Sequence, residues 1–240
     1  MIEKKILHVF CTVIVLVSNH DSIKIYCDLQ EENMKLIFAT GNQGKMKEIR
    51  MILAGLSLEI QSMKEANIDI EIEENGKTFE ENAKIKALAI WNYLKEQGED
   101  NCIVMADDSG LEVDAMDKQP GVHSARFMGE DTSYVIKNQA ILDKLEGLTG
   151  QERSARFVCT IATVYPNGRV TSIRETIEGE IAKESSGENG FGYDPIFYVP
   201  AYGCTTAELS LEQKNEISHR GKALSQARVE IERFLQEGEG

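Results

Sequence analysis

The segment IFATGNQGKMKEIR, residues 37–50, decides how the rest of the chain is read. Leu36, Ile37, Phe38 and Ala39 form a continuous apolar run, the mark of a buried strand. Thr40, Gly41, Asn42, Gln43, Gly44 and Lys45 then make a glycine loop that ends in a lysine, and residues 43–53 read as a helix. Glycines let backbone N–H groups approach an anion, a helix N-terminus supplies donors, and a lysine adds charge. The loop is not a Walker A motif, in which four residues separate the first glycine from Gly-Lys and a hydroxyl residue follows. Here Gly41 and Gly44 are too close and Met46 follows Lys45. Taken alone, the segment is either a phosphate loop or an ordinary strand–helix turn with a surface lysine.

Outward from this segment, strand and helix signals alternate. Residues 34–40 and 58–62 read as strands. Thr78 with Glu81 forms a capping box that opens a helix over 78–94, ending near Gly98. Residues 102–106 read as a buried strand that stops at Asp107, and 132–145 as a helix. Residues 155–165 and 169–181 are long strands joined by Pro166-Asn167-Gly168, a hairpin signal. A short strand at 196–199, a helical turn at 212–215 and a closing helix at 218–236 complete the pattern. The expected fold is α/β with a mixed sheet, the long hairpin building a lobe of its own.

Bulk properties narrow the function. The chain has 240 residues, 42% hydrophobic and 28% charged, which suits one globular domain with room for two lobes. A formal charge of −14 argues against nucleic-acid or anionic-membrane binding, which needs a broad basic face. Five scattered cysteines without a CxxC pair argue against zinc or a disulfide framework and fit a reducing cytoplasm. Lys4-Lys5 and the apolar run 9–17 resemble part of a signal peptide, but no small-residue cleavage site follows. Residues 1–33 are therefore expected to be an extension outside the fold, from a start codon assigned too early, with the domain occupying 34–240.

Several clusters carry chemistry. Asp107 and Asp108 end the expected strand, where α/β proteins place ligands. Adjacent strand residues point to opposite faces, so one carboxylate faces the cleft and the other supports the backbone. Carboxylates so placed bind Mg²⁺ together with substrate phosphates, or merely cap a strand. Glu71, Glu73 and Glu74 are a second source of metal ligands, or a solvated charge run. Lys84 and Lys86 lie on the helix that Thr78 opens. Phe191, between glycines, offers a stacking surface, with Tyr193 and Asp194 following. Ser218 caps the last helix, and His219 and Arg220 put positive charge in its first turn, against the helix dipole. That favours an anion or base contact over a stability role.

Six segments, TGNQGKMKEI, TFEENAKIKA, ADDSGLEVDA, PGVHSARFMGED, FGYDPIF and AELSLEQKNEISHRGKAL, run in order through the chain. Together they resemble the inosine triphosphate pyrophosphatase family, and the resemblance covers residues 34 to about 235. It implies an elongated α/β fold with two lobes about a central nucleotide cleft, a homodimer, and Mg²⁺-dependent hydrolysis of ITP, dITP and XTP to the monophosphate and pyrophosphate. Thr40, Gly41, Asn42, Gln43, Gly44 and Lys45 would hold the triphosphate. Asp108 would be the catalytic carboxylate and a metal ligand, with Glu74 the second. Ser109, Lys86, Phe191, Gly192, Tyr193, Asp194, Lys214, His219 and Arg220 would bind substrate. A nucleotide sensor that does not hydrolyse, or a phosphohydrolase of standard nucleotides, are the rival readings.

Overall fold

The structure, a computed structural model, describes Thr12–Val15, Ile25–Asp28 and residues 34–238. Strands β1 (Thr12–Val15) and β2 (Ile25–Asp28) pair antiparallel with each other, in a sheet separate from the main one. The remainder of the expected extension, including most of the signal-like run, lies outside the described residues.

The main sheet contains β3 (Lys35–Phe38), β4 (Glu59–Ser62), β5 (Cys102–Val113), β6 (Ser154–Val164), β7 (Val170–Ile181), β8 (Phe197–Val199) and β9 (Cys204–Thr205). Their order is β4-β3-β5-β6-β7-β8-β9. β3 runs parallel to β4 and β5, and every later pairing is antiparallel, so the sheet is mixed as expected. The β6–β7 hairpin continues this same sheet and does not form a separate one.

Side-chain alternation on β3 and β5 sorts the core into two faces. Leu36, Phe38, Ile103 and Met105 pack against α1 (Gln43–Ile52) and α5 (His219–Gly238). Ile37, Ala39, Val104 and Ala106 pack against α2 (Phe79–Glu96). A third cluster gathers Leu111, Val113, Phe157 and Phe197 with Ile141 and Leu142 of α3 (Tyr134–Lys144). The short helix α4 (Leu211–Ile217) leads into α5.

Helix starts follow the local chemistry. Thr78 and Glu81 form the capping box read from the sequence, a device worth about 1 kcal/mol. Asn42 caps α1, its Oδ1 accepting from Lys45 N at 3.1 Å. Ser218 Oγ accepts from Gly221 N at 3.0 Å and caps α5.

One element differs from expectation in a way that matters. β5 does not stop at Ala106; it runs on through Asp107, Asp108, Ser109 and Gly110 to Val113. The reason is its partner: β6 pairs continuously from Val104↔Val164 to Val113↔Ala155. The two aspartates are therefore strand residues. Alternation sends Asp107 to the α1/α5 face with Met105, and Asp108 to the α2 face with Ala106.

Candidate active site

A cavity of about 310 Å³ opens beside the glycine loop. Thr40, Gly41, Asn42, Lys45, Ser109, Phe191, Gly192, Tyr193, Asp194, Lys214, His219 and Arg220 all line it, so residues nearly the whole chain apart in sequence meet there. Gln43 lines neither this cavity nor its neighbour. Gly44 lines a smaller space of about 200 Å³, and Phe191 borders both. A Cβ on Gly44 would lie 3.0 Å from the Phe191 ring, so any larger residue would push that ring off the loop by a few tenths of an ångström.

The loop satisfies part of itself. Thr40 Oγ1 accepts from Asn42 N at 3.1 Å, and Asn42 takes Lys45 N. Lys45 Nζ reaches across to Asp107 at 2.9 Å. Asp107 is 1% exposed and also accepts from Arg220 Nε and Nη2, at 3.2 and 3.1 Å, and from Ser109 Oγ at 3.0 Å. Burial opposes its charge, but the Lys45, Arg220 and Lys86 cations outweigh burial and hold the carboxyl far below the usual range.

Arg220 is more tightly committed than its motif suggested. It gives Nη1 to Glu48 at 2.5 Å, and Nη2 also to Ser109 Oγ at 3.0 Å. Glu48, buried on α1, in turn holds Lys214 at 3.1 Å, and Lys214 holds Asp194 at 2.7 Å. Asp194 accepts from Phe191 N at 2.7 Å and Thr206 Oγ1 at 2.8 Å, so its oxygens fix the glycine-rich loop. The chain Asp107–Arg220–Glu48–Lys214–Asp194 is a buried ionic network that forms part of the cavity wall.

His219 differs. Its ring stacks on Phe157 at 4.9 Å between centroids and lines the cavity, and its buried Nδ1 has no partner among the described residues. Burial, reinforced by the Arg220 and Lys214 charges, pushes its pKa well down, so the ring is neutral. Among the residues read as base contacts, His219 keeps an uncommitted polar atom, whereas Arg220 and Asp194 are spent on their neighbours.

Across β5, the α2 face holds a second group. Lys86 Nζ lies 2.9 Å from Glu74 Oε2 and 3.6 Å from Asp108 Oδ1. Asn82 Nδ2 donates to Asp108 Oδ2 at 3.0 Å. Burial pushes the Asp108 carboxyl above its usual pKa, against the lowering influence of Lys86 and Asn82. Burial lowers the Lys86 pKa, but Asp108, Asp107 and Glu74 outweigh it and raise the pKa overall. Two carboxylates meeting on one ammonium suit Mg²⁺, which takes one or two carboxylates and completes its shell with water and phosphate. Among the described residues no three His, Cys, Asp or Glu side chains form a cage, so further ligands would come from solvent and substrate.

Two residues of this arrangement were missed in the sequence. Asn82 lies three residues after Phe79, on the buried stripe of α2, and Glu48 lies three after Lys45 on α1. A polar residue on an otherwise buried helical face was the available signal for both.

The Ham1 family model matches residues 36–229. The chain belongs to the Ham1 family. A dITP/XTP pyrophosphatase of Desulforamulus reducens is 48% identical over 194 residues, which covers 81% of this chain and 94% of the relative. One from Clostridium perfringens is 45% identical over 201 residues, covering 84% and 98%. Among solved structures, the Staphylococcus aureus Ham1 protein superposes with a TM-score of 0.72 at 41% identity, covering 82% of this chain and 98% of that one. A Coxiella burnetii HAM1 protein gives 0.73 at 39% identity, covering 83% and 99%. These Ham1 structures bear out the mixed α/β fold, and residues 1–35 and 230–240 lie outside the family match.

Proposed function

We propose that this Ham1-family chain hydrolyses non-standard purine nucleoside triphosphates, ITP, dITP and XTP, to the monophosphate and pyrophosphate. The supporting observation is the identity to dITP/XTP pyrophosphatases along nearly their whole length, with Asp108, Lys86 and Glu74 clustered at the cavity's edge. The base enters the cavity beside Phe191 and His219, and the phosphates run past the glycine loop and Ser109 toward Asp108, Lys86 and Glu74 at that edge. Asp108 orients a water for in-line attack at the α-phosphorus and takes its proton. A bond forms from the water oxygen to phosphorus; the bond to the bridging oxygen breaks, and pyrophosphate leaves with its electron pair. Lys45 and Lys86 spread the charge that develops. Mg²⁺, held by Asp108 and Glu74, would neutralise phosphate oxygens.

Base choice would follow from the cavity wall that Phe191, His219 and Arg220 line. A donor on that wall satisfies a 6-keto oxygen and meets another donor in adenine, leaving a buried group unpaired. A cytoplasmic homodimer belongs to the same reading. It is supported by the free thiols of Cys102, Cys159 and Cys204 and by the exposed apolar side chains of Met128, Val135 and Ile136. Among the described residues no helix is long and apolar enough to cross a membrane. The test is turnover of dITP, XTP, dGTP and ATP side by side with Mg²⁺. ITP-type substrates well above dGTP and ATP support the reading; ATP hydrolysed as fast as dITP contradicts it.

A further inference from the structure

The segment PGVHSAR, residues 120–126, has no task in the mechanism above, yet the fold anchors it heavily. Gly110 of β5 makes room for it: a Cβ there would lie 2.4 Å from both Gly121 O and Ser124 Oγ. Ser124 Oγ accepts from Leu111 N at 2.9 Å and donates to Gly121 O at 2.6 Å. Tyr193 Oη donates to Ser124 O at 2.8 Å. Lys137, only 1% exposed, donates its Nζ to Ala125 O at 2.6 Å. A buried ammonium and a buried phenol are thus both spent on fixing the backbone just before Arg126.

Arg126 itself is left nearly free. Its Nε donates to His123 Nδ1 at 3.0 Å, and Nη2 touches the Glu74 carbonyl at 3.4 Å. Among the described residues it has no carboxylate within ion-pair distance, in a chain of formal charge −14. It stands between Ser124 and Ala125, which line the cavity, and the loop whose Glu74 carboxylate meets Lys86 beside Asp108. A half-buried guanidinium on a rigid turn, with open N–H groups in a planar fork, matches the paired oxygens of a phosphate.

We propose that Arg126 binds the terminal phosphates of the triphosphate and the pyrophosphate that leaves. The proposal rests on the hydrolytic reading for the substrate's identity. When the bond between the α-phosphorus and the bridging oxygen breaks, the electron pair goes to pyrophosphate, and Arg126 faces that added charge. The alternative task, a latch that ties the Glu74 loop to the 120–126 turn, would affect all ligands of the site together.

The experiment titrates inorganic pyrophosphate with Mg²⁺, and separately inosine monophosphate, into wild type, Arg126→Ala and Arg126→Lys, with melting temperature and ITP turnover measured on each. Arg126→Ala is expected to weaken pyrophosphate binding about 10-fold or more, the scale of a lost charge-assisted contact. Inosine monophosphate binding should stay within about 2-fold, since that ligand lacks the phosphates concerned. The kcat/KM for ITP should fall in step with pyrophosphate affinity, and Arg126→Lys should recover part of both. Unchanged pyrophosphate binding in a folded Arg126→Ala overturns the proposal, and so does equal weakening of the two ligands. A wild type that releases no pyrophosphate from ITP would refute the hydrolytic reading instead, and the Arg126 dependence of pyrophosphate binding is read from the same titrations.

Discussion

Asp107 and Asp108 are adjacent on β5 and chemically identical, but the pleat sends them into different surroundings. Asp107 is held by two cations and a hydroxyl, at 2.9 to 3.2 Å, and its charge is fully matched. Asp108 has one amide and a lysine at 3.6 Å that is closer to Glu74 than to it. A carboxylate with all its partners in place has little left to offer a substrate. A buried carboxylate with too few partners gains most from an incoming water, proton or metal ion. On the proposed reading, this difference gives the work to Asp108 and the scaffolding to Asp107.

The sharpest way to break this division is Asp108→Asn, which keeps the shape and removes the charge. Pyrophosphate release from ITP should fall by about 100-fold or more, the scale of one lost key electrostatic group. Near-normal release would return the role to Asp107 or to the metal alone. Asp107→Asn should act on the fold instead. It leaves Lys45 and Arg220 facing each other without their shared counter-charge, a loss of about 3–5 kcal/mol in chemical denaturation. A stability within experimental error of wild type would show that the network is dispensable.

Glu48→Gln carries the comparison one residue further along the network, with a smaller effect. Burial raises the Glu48 pKa, but the Arg220 and Lys214 charges outweigh it and lower the pKa below its ordinary 4.5. A lowered folded pKa means the carboxylate stabilises the protein above pH 4.5, and that contribution is lost as pH falls toward the folded value. The variant should be less stable than wild type at pH 7, and the gap should narrow on acidification below 4.5. A gap independent of pH would contradict the assignment. The smallest effect is expected from a chain that begins at Met34, which should melt and turn over as the full chain does; a large loss of either would show that residues 1–33 support the domain.

Much of the fold was legible because its signals are local. The capping box at Thr78, the Asn167-Gly168 turn and the apolar runs of β3 and β6 each announce their element without reference to a partner. The end of β5 was not local. The strand read as stopping at Asp107, and only the ladder with β6 carries it on through Asp108, Ser109 and Gly110. The site divides the same way. Most of the substrate-contact candidates do meet at one cavity, because glycine loops and helix caps mark places where backbone approaches a ligand. What each side chain does there depends on pairing across the fold. Arg220 looked free in its motif and is spent on Asp107 and Glu48, whereas Arg126, an ordinary arginine in the sequence, is left open.

On β5 a satisfied carboxylate and an unsatisfied one stand side by side, and the melting temperatures of Asp107→Asn and Asp108→Asn test that division most directly. Neutralising a buried, poorly paired charge relieves a cost, so Asp108→Asn is expected to melt at or above the wild-type temperature while losing turnover. Asp107→Asn is expected to melt well below it. If instead Asp108→Asn is the variant that unfolds early and Asp107→Asn melts as wild type does, the division of labour between the two faces of β5 is wrong.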